Sequence, residues 1–367
     1  MNEDVKIRAI ALYLPQFHPI PENDEWWGKG FTEWTNTAKA KPLFRGHYQP
    51  HIPADLGFYD LRVPEVRDSQ AALARNAGIE GFCYYHYWFA GRRILERPFT
   101  EVLMSGKPDF PFCLCWANET WSGIWHGSPG KILIEQTYPG EDDHKAHFKI
   151  LLEAFTDRRY IKVDGKPMFL IYKPQQIPNC RETLSLWRTL ALRAGLSGLH
   201  IVGFGSSDWN SRDHGFDAKI VSPLVRERPW VSRRSPVKWL KQTLNKRRGI
   251  PTIHQYTTIV DDHIASIRNA PSNKNDDHAT YPCIVHAWDN TPRSGANGVV
   301  LVGSTPTRFV EYMSQAAKLM RTADSDRRIL FLKSWNEWAE GNHLEPDLKY
   351  GHAYLNGIRK LLQSTRT

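Results

Sequence analysis

Short apolar segments that alternate with amphipathic stretches constrain the fold of this chain more than any other sequence feature. Eight apolar segments of strand length recur, at 7–15, 79–88, 110–117, 167–173, 200–205, 216–222, 281–288 and 329–335. The clearest helical stretches lie between them, at 64–77, 142–155, 181–194 and 305–320. Strands that alternate with helices indicate βαβ units and a parallel sheet. Eight such strands predict an α/β fold of the (β/α)8 class, a TIM-type barrel, rather than an open sheet.

The length of the chain fits one such barrel as well as two average domains. We predict a single barrel over residues 1–367, with long loops at its C-terminal face. Residues 223–280 are predicted to be a basic segment inserted between strands six and seven. A content of 41% hydrophobic and 24% charged residues is typical of a globular protein with a sizeable core.

The positive charge of the chain is concentrated in that inserted segment. Between Lys219 and Arg248 there are ten lysines and arginines and one acidic residue, so this stretch alone accounts for the formal net charge of +9. The rest of the chain sums to about zero, and we therefore expect no nucleic-acid partner. Residues 233–248 have an amphipathic pattern. We interpret them either as a peripheral contact to an anionic membrane or lipid-linked glycan, or as a solvated helix that covers the barrel.

The sequence contains no recognisable export signal and no disulfide framework. The N-terminal residues lack the basic region, the apolar core and the cleavage site of a secretory signal, and no run of eighteen apolar residues is present. Five cysteines, an odd number in a long chain, argue against a disulfide framework. These features predict a cytoplasmic protein.

Aromatic and polar residues follow most of the predicted strands, at the end where barrel enzymes carry their active sites. Eleven of the fourteen tryptophans lie at or just beyond a predicted strand end. Indole rings stack on the apolar faces of sugar rings while neighbouring polar groups bond the hydroxyls, so we predict a site for a glycan or oligosaccharide. The candidate substrate-binding residues are Gln16, His18, Glu33, Trp34, Tyr85, His86, Trp88, Trp116, Asn118, Glu119, Trp121, Tyr172, Asp208, Trp288, Asp289, Trp335, Asn336 and Trp338.

Two glutamates three residues apart, Glu337 and Glu340, are the candidate catalytic pair. Glycoside chemistry needs one carboxyl group that donates a proton and a second that acts as a nucleophile or base. Both can face a pocket if the backbone turns after strand eight. The alternative is that one or both cap a loop or pair with Lys333 or Lys349. A second pairing, Glu119 with Glu337 across the barrel mouth, stays open, and Glu119 is otherwise expected to bind a substrate hydroxyl.

Neither a cofactor nor a metal site is predicted. His47 and His51 have the i, i+4 spacing of helical zinc ligands, but Pro50 and Pro53 argue against a helix at that place. A P-loop and a G-x-G-x-x-G fingerprint, the two common phosphate cradles, are absent from the sequence.

Five stretches of the sequence together carry a family likeness. They read AIALYLPQFHPIPENDEWWGKGFTEWTN at 9–36, GFCYYHYWF at 81–89, LCWANETW at 114–121, GKPMFLIYKP at 165–174 and SWNEWAEGNHLEP at 334–346. The chain resembles the WbsX-type proteins, a glycoside hydrolase family 99-like group found among bacterial lipopolysaccharide and polysaccharide biosynthesis proteins. The resemblance covers nearly the whole chain and implies a (β/α)8 barrel.

The resemblance also implies roles for the two glutamates. Better-studied relatives are retaining endo-acting α-mannosidases with an E-W-x-E-G motif, which residues 337–341 resemble. By that likeness Glu337 deprotonates the 2-hydroxyl of the sugar, which attacks the anomeric carbon and gives a 1,2-anhydro sugar. Glu340 protonates the leaving oxygen and then activates water. The stretches WANETW and GFTEWTN are features of the WbsX type, so the resemblance does not extend to mannose as the sugar.

We therefore predict a retaining glycoside hydrolase or transglycosidase that acts on a bacterial polysaccharide or O-antigen-type glycan. One alternative is a glycosyltransferase of lipopolysaccharide or capsule biosynthesis, as WbsX-type proteins are often described. A second alternative, from another class, is a non-catalytic glycan-binding module.

Overall fold

The computed structural model of the protein describes residues 7–123, 132–224, 243–270, 279–320 and 324–364. Residues 233–242, which make up most of the predicted amphipathic stretch 233–248, lie outside the described residues. Trp125, one of the eleven tryptophans near predicted strand ends, lies outside them as well. Among the helices within the described ranges, none combines the length and the apolar character that a membrane span requires.

Eight parallel strands form a closed barrel, which confirms the predicted (β/α)8 fold. Every strand pairs with the next one in the chain, and β8 pairs with β1 to close the cylinder. Each of the eight predicted apolar segments overlaps one strand. The strands are β1 (Arg8–Tyr13), β2 (Gly81–Phe89), β3 (Phe112–Trp116), β4 (Lys166–Ile171), β5 (His200–Gly205), β6 (Ala218–Val221), β7 (Ala279–Val285) and β8 (Ile329–Lys333).

Amphipathic helices surround the barrel and include the four that the sequence predicts. Pro64 and Pro306 stand in the first turns of their helices, where a missing N–H costs no hydrogen bond. The connection from β5 to β6 departs from the ideal pattern, because a 3-10 turn at Ser211–His214 replaces a helix. The outer helices are Pro64–Asn76, Arg97–Ser105, Glu141–Phe155, Cys180–Arg193, Tyr256–Arg268, Pro306–Leu319 and Ala353–Ser364.

Short elements at the C-terminal face of the barrel build the surroundings of a cleft. Three short helices lie there, at Pro21–Trp27, Glu33–Lys39 and Thr291–Ser294. Short antiparallel pairs join Arg92–Ile94 to the end of β2, Trp121–Ser122 to Ile132–Ile134, and Asn336–Glu337 to Asn342–His343. Lys162–Val163 pairs with the start of β4 at the other end of the barrel.

The described part of the predicted insertion, residues 243–270, packs onto the barrel. Strand Thr252–Gln255 pairs in parallel with Val299–Val302 from the connection between β7 and β8. The helix Tyr256–Arg268 follows it and buries one face, with Ile259 and Ile264 among its buried residues. This part of the chain therefore supplies the outer helix that the barrel needs between β6 and β7.

The strands are almost entirely buried, because the helices cover their outer sides and side chains fill the barrel. All five cysteines lie in the described ranges, and each is a buried free thiol. Cys83, Cys113 and Cys115 come from the adjacent strands β2 and β3, and burial raises the pKa of the Cys83 thiol well above its usual value. These thiols act as small apolar side chains.

Candidate active site

A cleft of about 870 Å³ opens where the C-terminal ends of the strands meet. This is the end of a TIM-type barrel at which catalytic residues are generally found. Its walls combine aromatic side chains with four carboxylates and two cations. The lining residues are Leu14, Gln16, Trp27, Glu33, Tyr85, Tyr87, Ala117, Glu119, Thr120, Trp121, Ser122, Leu133, Tyr172, Arg293, Lys333, Glu337 and Glu340.

A tight turn after β8 brings Glu337 and Glu340 to the same cleft. Residues Asn336–Glu337 pair with Asn342–His343, and the 3-10 turn Trp338–Glu340 connects the two strands. Gly341 closes the turn with a φ of 55°, in the left-handed region that favours glycine. The backbone thus turns directly after β8, as the pairing of two carboxylates three residues apart requires.

Arg293 contacts three of the four carboxylates, Glu33, Glu337 and Glu340. Its guanidinium nitrogens lie 2.6 Å from Oε1 of Glu340, 2.9 Å from Oε2 of Glu33 and 3.6 Å from Oε2 of Glu337. The side chain of Arg293 is 11% exposed, and burial alone would lower its pKa, but the three carboxylates raise the pKa above the usual value. The guanidinium therefore stays charged and ties loops after β1, β7 and β8 together.

Lys333, the last residue of β8, is the second cation of the cleft. Its Nζ lies 3.3 Å from Oε1 of Glu337 and 3.7 Å from Oε2 of Glu340, and it donates to the hydroxyl of Tyr85 at 3.3 Å. Burial would lower the pKa of Lys333, yet Glu337 and Glu340 raise it above the usual value. The predicted alternative of a pair between Lys333 and the glutamates is thus observed inside the cleft itself. Lys349, by contrast, lies over the ring of Tyr48.

The pKa values of the two turn glutamates are displaced in opposite directions. Burial and the neighbouring charge of Glu337 raise the pKa of Glu340 to about 7. Burial also acts to raise the pKa of Glu337, but Lys333 and Arg293 outweigh it and hold that pKa below its usual value. Burial raises the pKa of Glu33 as well. Three carboxylates face two cations, so one proton on Glu340 makes the cluster neutral. Oε2 of Glu340 has no hydrogen-bond partner among the described residues.

Aromatic side chains form the walls of the cleft on the side of β2 and β4. Tyr85 meets Tyr172 edge to face, with ring centroids 6.2 Å apart. Trp121 meets the ring of Tyr87 edge to face at 5.1 Å. Such rings present flat apolar faces that sugar rings stack on. Glu119 lies on the same wall as Trp121, where its carboxylate is 3.3 Å from Nζ of a lysine that follows β4.

Eight of the predicted site residues meet in this cleft, and twelve lie elsewhere. The residues in the cleft are Gln16, Glu33, Tyr85, Glu119, Trp121, Tyr172, Glu337 and Glu340. The residues that do not line it are His18, Trp34, His86, Trp88, Trp116, Asn118, Asp208, Trp288, Asp289, Trp335, Asn336 and Trp338. Their contacts give each of them a place in the scaffold.

The period-2 geometry of β2 divides its side chains between the cleft and the outer helices. Tyr85 and Tyr87 line the cleft. His86 and Trp88 point the other way, toward His147 of helix Glu141–Phe155. The nearest nitrogens of His86 and His147 are 2.9 Å apart, and the Trp88 ring stacks on the His147 ring at 4.8 Å. Burial lowers the pKa of His86 to about 3, so this imidazole is a neutral packing residue.

Two asparagines extend the pairing of adjacent strands beyond their ends. Asn118 accepts a hydrogen bond from the backbone N–H of Lys173 at 2.8 Å and donates to the carbonyl of the same residue at 2.8 Å. Asn336 does the same with Leu14, at 2.7 Å and 3.0 Å. Both amides are fully buried. They fix the loops that carry the cleft residues and make no contact with the cleft themselves.

The tryptophans of the last motif belong to a buried layer beneath the cleft. Nε1 of Trp338 donates to Oε2 of Glu345 at 2.6 Å, and the hydroxyl of Tyr59 donates to the same oxygen at 2.8 Å. Nε1 of Trp34 donates to the carbonyl of Tyr59 at 2.7 Å. Trp335 is fully buried in the core. Burial raises the pKa of Glu345 to about 7 despite these donors.

Asp289 supports the turn from outside the cleft. Its carboxylate lies 2.6 Å from Nε2 of His47 and accepts from Nε2 of Gln49 at 2.7 Å. Its backbone N–H donates to the carbonyl of Glu340 at 2.6 Å. A Cβ on Gly341 would approach the Cβ of Asp289 to 2.9 Å. Asp289 is therefore a positioning residue for Glu340.

The remaining four predicted residues have separate locations. His18 is buried, and burial lowers its pKa to about 4. Trp116 is buried in the layer of outer helices. Asp208 is exposed on the loop after β5. The ring of Trp288 borders the cluster indirectly, with Nζ of Lys333 lying 5.6 Å from its centroid.

Four charged or aromatic residues of the cleft lining are not among the candidate site residues: Arg293, Lys333, Tyr87 and Trp27. Arg293 belongs to no motif, and its only signal is electrostatic, since three buried carboxylates need compensating cations. Lys333 stands at i, i+4 from Glu337, which is a recognisable spacing for an ion pair. Tyr87 follows Tyr85 at the strand period of two.

Comparisons with known proteins agree with this architecture. The sequence profile of the family described as Glycosyltransferase WbsX matches residues 9–358. The protein WxcX of Xanthomonas campestris pv. campestris (strain B100) is 38% identical over 366 residues, which cover 99% of this chain and 50% of WxcX. A second WxcX, from strain ATCC 33913, is 38% identical over the same length. The chain thus spans about half the length of the curated relatives it matches.

Two solved structures share the fold over nearly their whole length. A glycoside hydrolase-like protein superposes with a TM-score of 0.64 at 15% identity, covering 99% of this chain and 95% of that one. The glycoside hydrolase family 99 endo-α-mannosidase of Bacteroides thetaiotaomicron superposes with a TM-score of 0.56 at 13% identity, covering 100% and 98%. At these identities the likeness shows the barrel fold.

Proposed function

The chain belongs to the WbsX glycosyltransferase family, and from that premise we propose that it is a carbohydrate-active enzyme that breaks glycosidic bonds with retention of configuration. Glu340 is the acid and base, Glu337 is the base for the 2-hydroxyl of the sugar, and water or a second glycan is the acceptor. The substrate class is a bacterial polysaccharide or O-antigen-type glycan. The observation that carries the proposal is that Glu337 and Glu340 meet in one buried cluster with Arg293 and Lys333, and the opposite displacement of their pKa values supports it.

The first step uses the protonated form of Glu340 and the ionised form of Glu337. Glu337 takes the proton of the 2-hydroxyl, whose oxygen attacks the anomeric carbon as the glycosidic C–O bond breaks. The leaving oxygen takes the proton of Glu340. A 1,2-anhydro sugar results, and the cluster keeps its total charge because one proton enters Glu337 as another leaves Glu340.

The second step reverses the roles. The Glu340 carboxylate takes a proton from the acceptor hydroxyl, whose oxygen attacks the anomeric carbon. The bond from that carbon to O2 opens, and O2 takes the proton back from Glu337. Two inversions at one carbon give net retention. Pairs of titratable groups whose surroundings push their pKa values apart are the usual basis of such a division of labour.

The aromatic walls fit a glycan as the ligand. Tyr85, Tyr87, Tyr172, Trp27 and Trp121 all line the cleft, and aromatic faces bind the apolar C–H faces of sugars.

The family description favours a second candidate, a glycosyltransferase that uses a nucleotide-sugar donor. Such a donor presents a diphosphate, which proteins bind with cations or helix N-termini. Among the residues that the structure describes, both cations of the cleft, Arg293 and Lys333, are engaged by carboxylates. Transfer from one glycan to another glycan needs no diphosphate site, and we therefore prefer it to the donor-dependent reaction.

A ligand panel followed by two variants tests the proposal. Purified protein is heated with bacterial polysaccharides and their oligosaccharides, and separately with nucleotide sugars. A ligand at one hundred times its dissociation constant stabilises the fold by about 2.7 kcal/mol, which raises the melting temperature measurably. The stabilising glycan is then the substrate for wild type, Glu337→Gln and Glu340→Gln, with Glu153→Gln on an exposed helix surface as the control.

We expect glycans to stabilise the protein and each variant to lose turnover by about 10² to 10⁴-fold, the usual contribution of one acid or base. Glu153→Gln should retain the wild-type rate. Wild-type kcat/KM should fall as the pH rises above about 7, because Glu340 then loses the proton that the leaving oxygen needs. Stabilisation by a nucleotide sugar alone would contradict the assignment, and glycan binding without turnover would indicate a glycan-binding module.

A further inference from the structure

Three side chains of the types that bind metal ions meet outside the cleft, near the turn Trp338–Glu340, which is called the acid–base turn below. His51, His343 and Asp347 each offer one ligand atom, and these atoms all lie within 4.8 Å of one another. All three residues are buried, with 8%, 4% and 4% of their surface exposed. They line a small cavity of about 280 Å³ that is separate from the cleft.

The surroundings orient two of the three ligands. Nδ1 of His343 lies 3.0 Å from the carbonyl of Glu345, so Nε2 is the nitrogen that faces His51. Oδ1 of Asp347 accepts from the backbone N–H groups of Lys349 at 3.0 Å and Tyr350 at 2.6 Å, while Oδ2, on the other side of the carboxylate, accepts from the hydroxyl of Tyr48 at 3.3 Å. A ligand whose second polar atom is held by the backbone is the usual arrangement around protein-bound metals.

Backbone pairing holds the two ligand-bearing loops together. The N–H of Ala54 donates to the carbonyl of Pro346 at 2.9 Å, and the N–H of Leu348 donates to the carbonyl of Ile52 at 3.0 Å. His51 stands just before one loop segment of this pairing, and Asp347 lies within the other. The cluster therefore does not depend on flexible side chains to bring the loops together.

The two imidazoles are one hydrogen bond apart. Nδ1 of His51 lies 2.8 Å from Nε2 of His343. Two nitrogens on a tetrahedral metal, with bonds of about 2.0–2.1 Å, would be about 3.3 Å apart. A metal thus replaces the shared proton if the rings separate by about half an ångström, and His51 carries its proton on Nε2 instead. Nδ1 of His286, on the wall of the adjoining cavity, has no hydrogen-bond partner among the described residues.

We propose that His51, His343 and Asp347 bind one divalent transition-metal ion of the zinc type. Two imidazoles and one carboxylate are the donors that this class of ion prefers, and the fourth position faces the cavity. The site links the loop after β1 to the loop after β8. His343 also stacks on Trp338 of the acid–base turn, with ring centroids 3.6 Å apart. The ion would therefore fasten that turn, and this role is independent of the proposed reaction.

Cobalt binding to the wild-type protein tests the site without any substrate. The protein is treated with a chelator, dialysed and titrated with Co²⁺ while the visible spectrum is recorded. We expect one Co²⁺ per chain with the absorption bands of a four-coordinate cobalt centre between about 500 and 650 nm, and displacement of those bands by Zn²⁺. Zn²⁺ should also raise the melting temperature of the chelated protein. A featureless titration with no thermal shift would overturn the proposal, and this result needs no variant to fold.

Variants then assign the ligands. His51→Gln and Asp347→Asn should each weaken Co²⁺ binding by at least about tenfold. His352→Gln is the matched control, because His352 is an exposed histidine near the site that pairs with Asp55 at 2.7 Å. Equal Co²⁺ affinity in all three variants would place the ion elsewhere and overturn the assignment.

Discussion

Replacement of Arg293 by methionine removes the cation that three buried carboxylates share. Methionine keeps much of the length and apolar contact of the arginine side chain while removing its charge and its hydrogen bonds. Glu340 then loses a partner at 2.6 Å and Glu33 a partner at 2.9 Å, and Lys333 is the one cation left in the cluster. Removal of one member of a buried ion pair typically costs about 3–5 kcal/mol. We expect Arg293→Met to lower the free energy of unfolding by that amount at pH 8.

The loss should depend on pH in a defined direction. The pKa of Glu340 in the folded protein is already above its ordinary value of 4.5, so folding takes up a proton and stability falls as the pH rises from 4.5 through about 7. Without Arg293 that pKa rises further, by about 1–3 units for the loss of an adjacent cation. Each unit corresponds to about 1.4 kcal/mol. The deficit of the variant should therefore be smallest at pH 5, where Glu340 is protonated, and grow toward pH 8.

Urea unfolding followed by circular dichroism at pH 5 and pH 8 measures both effects. The control is Arg62→Met, which removes an exposed ion pair with Asp60 and should cost less than about 1 kcal/mol at either pH. If Arg293→Met lowers the free energy of unfolding no more than the control does, Arg293 does not stabilise the carboxylates. If the loss is the same at both pH values, the cluster does not hold the proton that we assign to Glu340.

Three further substitutions test the scaffold and the aromatic wall. Asn336→Ala should lower the free energy of unfolding by about 1–3 kcal/mol in urea titrations, because the N–H and carbonyl of Leu14 lose their buried partner. An unchanged free energy of unfolding would show that these two hydrogen bonds do not stabilise the fold. Gly341→Ala should lose turnover and at least about 1 kcal/mol of stability, since φ is 55° and the new Cβ would lie 2.9 Å from the Cβ of Asp289; wild-type turnover would argue against a tight turn. Trp121→Ala should weaken glycan binding by about tenfold in calorimetry at unchanged kcat, and unchanged affinity would exclude this wall from the binding site.

The barrel could be predicted from the sequence because its signal is repeated. Eight apolar runs separated by amphipathic stretches leave few other folds, and the closure of β8 on β1 completes the same pattern. Glu337 and Glu340 could be paired for a similar reason, since Gly341 marks the turn that brings them to one side.

Six of the seven predicted tryptophans do not line the cleft. Proximity to a strand end does not say which way a side chain points, and the period of two sends alternate residues into the helical layer. Tyr85 and Tyr87 face the cleft, whereas His86 and Trp88 face the outer helices. Once one residue of a strand is known to face the cleft, the directions of the other side chains on that strand follow. The sequence alone does not identify that first residue.

Arg293 shows a second limit. It makes the two shortest ion-pair contacts of the cluster, at 2.6 Å and 2.9 Å. It comes from a short helix after β7 that is distant in sequence from all three carboxylates. The need for a cation follows from the carboxylates, but its position follows from the loop fold. The buried pair of His51 and His343 is similar, since 292 positions separate two residues whose nitrogens are 2.8 Å apart.

The dependence of the Glu340→Gln defect on the leaving group tests the central claim most directly. The substrates are the glycan found by the ligand panel and a dinitrophenyl glycoside of the same sugar, whose leaving group needs no proton. We expect kcat/KM for the glycan to fall by about 10² to 10⁴-fold in Glu340→Gln. We expect kcat/KM for the dinitrophenyl glycoside to stay within about tenfold of wild type, because this ratio reports the bond-breaking step alone. An equal loss on both substrates would contradict the assignment of Glu340 as the acid.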